Sequence, residues 1–239
     1  MEKKAPFKIE LDKDGGHMEA RLSDIPRDEV LRYLGYRGQS IGDDLDRQIT
    51  ACIRAVADCA KPRLTYRILP VTSGRIDGLE LEGNDIFKLL EGCIQAIVMA
   101  ATLGPEAEAL LRRTEVKNMA DAVIMDSAQS SAIENVCDNF ESDMRLQYRD
   151  RGLYLTDRYS PGYGDFPLES QKTIAELLVA EKRIGLTVTQ NMIMVPRKSV
   201  TCIIGISDIP RKLERRGCLN CSAAGSCCYR SEGRICNAK

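Results

Sequence analysis

A chain of 239 residues, 44% hydrophobic and 29% charged, is long enough for one sizeable domain with a short appendage and apolar enough to bury a core. Its formal net charge of −1 gives no electrostatic footprint for nucleic acid or an anionic membrane, and no apolar run is long enough to span a bilayer. The single histidine, His17, excludes multi-histidine metal sites and leaves no well-placed imidazole for Ser-His-Asp or Cys-His catalysis, because it sits in a glycine-rich stretch expected to be mobile.

The N-terminal stretch MEKKAPFKIELDKDGG is charged and lacks an apolar h-region, so it does not read as a secretory signal, and the cytoplasm is the expected location. Residues 1–22 are expected to be irregular or to hold a short strand. Asp24-Ile25-Pro26 opens a helix to about residue 34, with Pro in its first turn and Gly35 at its end. Over residues 43–60, Leu45, Ile49, Cys52, Ile53, Val56, Cys59 and Ala60 recur on one helical face, and Lys61-Pro62 stops it.

Strands are expected at 64–71 and 78–81, a short helix at 84–91, and an apolar strand at 94–102. Gly104-Pro105 begins a helix to about residue 113; free N–H groups there could meet an anion, although a plain helix start explains them more simply. A long helix is expected over 118–149, with Ile133, Val136, Cys137, Phe140 and Met144 on one face. Gly152 breaks it, 153–156 reads as a short strand, and the Pro-, Gly-, Tyr- and Asp-rich residues 157–167 form a loop. One helix over 170–184 and a hairpin of strands at 187–194 and 199–207, turning at Pro196-Arg197-Lys198, complete the domain. Elements of both kinds without regular βαβ alternation predict an α+β fold: a mainly antiparallel, twisted sheet flanked by helices over residues 1–210, with a Cys-rich tail at 211–239.

Several motifs are absent. There is no GxxxxGK[ST] loop, no radical-type CxxxCxxC, and no Asp-x-His-x-x-Gly of corrinoid carriers; Gly162-Tyr163-Gly164 is followed by Pro167 where a dinucleotide fold needs its third glycine. Instead, Arg158-Tyr159-Ser160-Pro161-Gly162-Tyr163-Gly164 forms a shaped loop. Arg158 offers a fork of donors for a carboxylate, Pro161 stiffens the chain, and Gly162 and Gly164 allow close backbone approach. On composition alone such a loop is more often an ordinary surface turn.

The surrounding residues add to this. Arg158…Gly162-Tyr163 resembles the Arg-x-x-x-Gly-Tyr motif of the activation domain of cobalamin-dependent methionine synthase. Glu176-Leu177-Leu178, Glu181-Lys182-Arg183-Ile184-Gly185, Leu186-Thr187, Thr189, Met194-Val195-Pro196 and Ser199-Val200 follow in that family's order. Leu31 to Gly38 and Met99 to Gly104 resemble its separate, single-domain members. The resemblance implies an S-adenosylmethionine (AdoMet) binding component of methionine biosynthesis, inactive alone. It would support reductive methylation of cob(II)alamin held by a partner, the cobalamin-binding methionine synthase core, with an electron from a flavodoxin-like or ferredoxin-like donor. By position, Arg158 would pair with the AdoMet carboxylate, the backbone at Ser160 and Gly162 would contact the ligand, and Tyr163 would line the site. After Val200 the chain reads Thr-Cys-Ile-Ile-Gly where fused-domain members are aromatic, so the pocket is expected to differ at that end.

Ten cysteines fall into two sets. Cys52, Cys59, Cys93, Cys137 and Cys202 sit beside apolar runs and read as small buried hydrophobes. Cys218, Cys221, Cys227, Cys228 and Cys236 crowd a stretch that cannot build its own core; they are candidate ligands for Zn²⁺ or an iron–sulfur cluster, with a redox-active or unliganded tail as alternatives. The basic cluster Arg211-Lys212…Arg215-Arg216 reads as solvated surface or a docking patch. Two other functions fit less of the sequence: a reductive activator of another corrinoid methyltransferase using a tail cluster, and a non-catalytic AdoMet-binding or zinc-containing interaction protein.

Overall fold

The computed structural model describes residues 16–20, 22–36 and 38–210. In chain order its elements are β1 (Gly16–Glu19), α1 (Arg27–Tyr33), α2 (Asp43–Cys59), β2 (Arg63–Thr72), β3 (Arg75–Ile76), α3 (Asn84–Leu90), β4 (Gln95–Thr102), α4 (Pro105–Lys117), α5 (Met119–Arg149), β5 (Tyr154–Leu155), α6 (Ser170–Leu177), α7 (Ala180–Ile184), β6 (Thr187–Val188), β7 (Met194–Val195) and β8 (Ser199–Ser207). The main sheet has the order β1-β2-β4-β8-β5, with β3 folded back on β2, and every pairing is antiparallel. This is the α+β architecture expected from the sequence.

The apolar run Ala96-Ile97-Val98-Met99-Ala100-Ala101 explains the layering. A strand apolar at every position must be covered on both faces, and all six residues are fully buried. Ile97, Met99 and Ala101 join one core with Leu64 and Tyr66 of β2 and Cys202, Ile204 and Ile206 of β8; Ala96, Val98 and Ala100 join the other with Ile203. The first face is covered by α1, α2, α4 and α5, the second by α3, α6 and α7. α5 has the expected apolar face, with Ile133, Val136, Cys137, Phe140 and Met144 all buried. Its start is fixed by Asn118, whose side chain accepts from the Ala120 and Asp121 amides.

Three expectations are corrected. The helix expected over 170–184 is two helices, because Val179 takes a left-handed conformation at φ 51° between α6 and α7. Residues 187–194 and 199–207 do not pair with each other. Gln190 and Asn191 lie in a polar turn closed by hydrogen bonds between Thr189 and Ile193 (2.9 Å) and between Met192 and Thr189 (3.0 Å), so β6 pairs with β7. β8, apolar on both faces, is drawn between β4 and β5 instead. The short strand after β2 is β3 rather than 78–81, since Ser73-Gly74 makes the tighter turn. His17 stands in β1, the short strand allowed for within residues 1–22, paired with Thr65. Among the described residues no helix is long and apolar enough to cross a membrane.

Candidate ligand site on the loop after β5

The loop begins on the sheet. The Thr156 amide donates to the Gly205 carbonyl (2.9 Å), the Gly205 amide donates to Thr156 Oγ1 (2.8 Å), and Tyr159 and Ile203 exchange backbone bonds of 2.8 and 2.9 Å. A Cβ on Gly205 would lie 2.5 Å from Cys93 Sγ and 3.1 Å from Thr156 Cγ2, so only a glycine fits between Cys93 and the loop entrance without a shift. Side chains alternate along this extended entrance. Tyr159 packs into the core beneath α3 and α6, and Arg158 turns to the opposite face, toward α5.

Arg158 is buried, and one guanidinium meets three carboxylates of α5. Nη2 donates to Glu134 (2.6 Å); Nη1 donates to Asp138 (2.6 Å) and Glu141 (2.9 Å). Spacings of four and three residues put these carboxylates on one stripe of the helix. Burial disfavours the Arg158 charge, but the carboxylates of Glu134 and Asp138 outweigh it and hold the guanidinium charged. Arg145 continues the network to Glu141 (2.6 Å) and Asp157 (3.2 Å) and donates to the Leu155 and Thr156 carbonyls at 2.7 and 2.6 Å. Four carboxylates thus surround two guanidiniums, an excess of negative charge on a surface where Glu134 and Asp138 remain 31% and 39% exposed. α1 brings Tyr33 within electrostatic reach of Glu134; burial, then Glu134, push its hydroxyl pKa up.

The loop tip is a compact turn. The Gly162 amide donates to the Phe166 carbonyl (2.8 Å), the Phe166 amide to the Tyr163 carbonyl (3.0 Å), and the Tyr163 amide to the Ser160 carbonyl (3.3 Å). Gly162 has φ 87°, a region that favours glycine. Phe166 is buried and stacks on Tyr159 at a centroid distance of 6.1 Å, while Tyr163 is exposed. The fold therefore gathers Ser160, Gly162 and Tyr163 in one turn and sends Arg158 to the carboxylates of α5.

Sequence reasoning missed Glu134, Asp138, Glu141 and Asp165. The stripe was detectable, since the first three fall at helical spacing on a helix expected from its apolar face. Asp165, described below, leaves no such signal, because its partners lie some 80 positions earlier in the chain.

Of the internal cysteines, Cys52, Cys93, Cys137 and Cys202 are buried and Cys59 is partly buried; none is in a disulfide. Burial pushes the Cys52, Cys59 and Cys137 thiols above the usual range, which matches small inert hydrophobes. Cys218, Cys221, Cys227, Cys228 and Cys236 lie outside the described residues. Among the described residues no group of three or more His, Cys, Asp or Glu is placed to hold a metal ion.

The fold is similar to the crystal structure of the MetH reactivation domain bound to AdoHcy, with a TM-score of 0.58 over 84% of this chain and 82% of that one, at 14% identity. A nitroreductase family protein from Streptococcus pneumoniae TIGR4 aligns at a TM-score of 0.34 and 10% identity, covering 76% of this chain and 87% of that one, too low to bear on the fold. No curated protein matches the chain. Residues 116–209, from the end of α4 through β8, match the model for the activation domain of vitamin B12 dependent methionine synthase. The matched segment contains the loop from Arg158 to Tyr163.

Proposed function

We propose that this chain is the AdoMet-binding reactivation component of a cobalamin-dependent methionine synthase, acting on cobalamin held by a partner chain and inactive alone. The observation that carries the proposal is the Arg158 centre, at the head of an Arg-x-x-x-Gly-Tyr loop inside the segment that matches the activation-domain model. That the similar reactivation domain was crystallised with AdoHcy supports the ligand class.

The donor set fits the amino-acid end of such a ligand. Arg158 presents a fork suited to a carboxylate, and Glu134 and Asp138 are the outermost of its present partners. A ligand carboxylate that takes the place of one of them on Arg158 frees that side chain for the ligand ammonium. The surplus of carboxylates further favours a ligand carrying a sulfonium charge. Ser160 and Gly162 offer backbone at a close-packed turn, and the exposed Tyr163 ring offers an apolar face. AdoMet would supply the methyl group that captures the reduced cobalt. The chain's own residues bind and orient it, a positioning role that needs no histidine.

The rest of the proposal extends beyond the described residues. Residues 1–210 form the activation-like unit and 211–239 a separate tail, in which Cys218, Cys221, Cys227, Cys228 and Cys236 hold zinc or an iron–sulfur cluster; five thiols crowded into a stretch that cannot build its own core support this. The electron comes from a flavodoxin-like or ferredoxin-like donor, the pathway is methionine biosynthesis, and the compartment is the cytoplasm. The test mixes the full chain with a methionine synthase core in its cob(II)alamin state and a low-potential reductant. AdoMet is expected to convert the cobalamin spectrum to that of methylcobalamin. Conversion no greater than that of the core with AdoMet and reductant alone overturns the proposal.

A further inference from the structure

We infer that Asp165, which has no place in the Arg-x-x-x-Gly-Tyr motif, is a positioning residue that clamps the ligand loop in its binding shape by capping α3. The inference rests on reading the loop as an AdoMet site. The Asp165 carboxylate accepts from the Asn84 amide (2.7 Å) and the Asp85 amide (2.9 Å), the first N–H groups of α3. Gly83 has no side chain to cap that helix, so the cap comes from the loop, across 81 positions of sequence.

The approach of the two segments is close and specific. Gly83 has φ 108°, and a Cβ there would lie 2.7 Å from the Asp165 carbonyl oxygen. The Tyr159 hydroxyl lies within hydrogen-bond reach of Asp85 Oδ2 (3.3 Å) and the Tyr163 carbonyl (3.1 Å), so the same helix start is tied to both ends of the turn. α3 is a firm anchor because Ile86 and Leu90 are fully buried in the core that also holds Phe166. The bonds to β8 fix residues 156–159; Asp165 fixes the segment after them, where Gly162 and Tyr163 would meet a ligand.

The test compares the full-length wild type with Asp165→Ala, Asp165→Asn and Gly83→Ala, by amide hydrogen exchange without ligand and by AdoMet titration. Asp165→Ala is expected to speed exchange at Asn84, Asp85, Gly162 and Phe166 and to weaken AdoMet about five- to tenfold, the scale of a lost cap. Asp165→Asn keeps one acceptor oxygen and turns an NH2 toward the second N–H, so its affinity is expected to fall between those of Asp165→Ala and wild type. Gly83→Ala, whose added Cβ would press on the Asp165 backbone from the helix side, is expected to behave as Asp165→Ala does. Wild-type affinity in Asp165→Ala overturns the inference, as does a loss of affinity without faster exchange in the loop. If the wild type ignores AdoMet, the ligand reading falls instead, and the exchange data alone judge the clamp.

Discussion

Around Arg158, carboxylates 2.6 to 2.9 Å away compensate a charge that burial would otherwise penalise. Removing the side chain would leave Glu134, Asp138 and Glu141 facing one another, a change that tests folding as much as binding. Lysine keeps the charge and loses the fork, so it isolates the geometry. Asp165 carries a different consequence. The Asp85 amide draws its carboxyl pKa below the ordinary value near 3.8; desolvation opposes this, and the Asn84 amide assists. For a carboxyl depressed in the folded state, the stabilisation is present above the unfolded value and is lost as pH falls through the folded one. Acid unfolding should therefore show wild type more stable than Asp165→Asn near neutrality, with the difference shrinking below about pH 4. A difference constant down to pH 2 would show that the carboxylate's charge takes no part.

Val179 is a β-branched residue at φ 51°, where the Cβ of an L-residue crowds the following carbonyl oxygen. It is 45% exposed, so no buried contact compensates the strain fully. Val179→Gly is expected to stabilise the protein by about 1 kcal/mol, raising Tm by about 2–4 °C; calorimetry showing a lower Tm would contradict this. The same residue shows why the 170–184 region was only half legible. Ile174, Leu178 and Ile184 keep their apolar positions on both sides of the break and are buried, so periodicity reads as one helix. The backbone reversal at Val179 has no glycine or proline to announce it. The hairpin failed for a related reason: strand character in 187–194 and 199–207 was visible, but pairing partners are chosen by burial, and β8 is buried on both faces against β4. α2 and α5 were legible because each carries one apolar face, and β4 because its apolar run is unbroken.

Across the whole molecule, one antiparallel sheet divides two cores, and the loop after β5 links them. Arg158 engages the helix over one face, while Tyr159 and Phe166 pack into the other. Such a loop is held from both sides before any ligand arrives, which lowers the ordering cost of binding. The loop's position and its Arg, Gly and Tyr were legible in the sequence because the motif is local. The carboxylates of α5 and the cap on α3 come from distant segments that only the fold assembles. The most direct test of the central claim is calorimetric titration of the anaerobically purified full-length protein with AdoMet, beside Arg158→Lys. Wild type is expected to bind, and the lysine variant to bind more weakly by about 2 kcal/mol, the scale of a lost charge-assisted bidentate contact. Equal affinity in the two proteins, or no binding by the wild type, would contradict the assignment of the Arg158 loop as the AdoMet site.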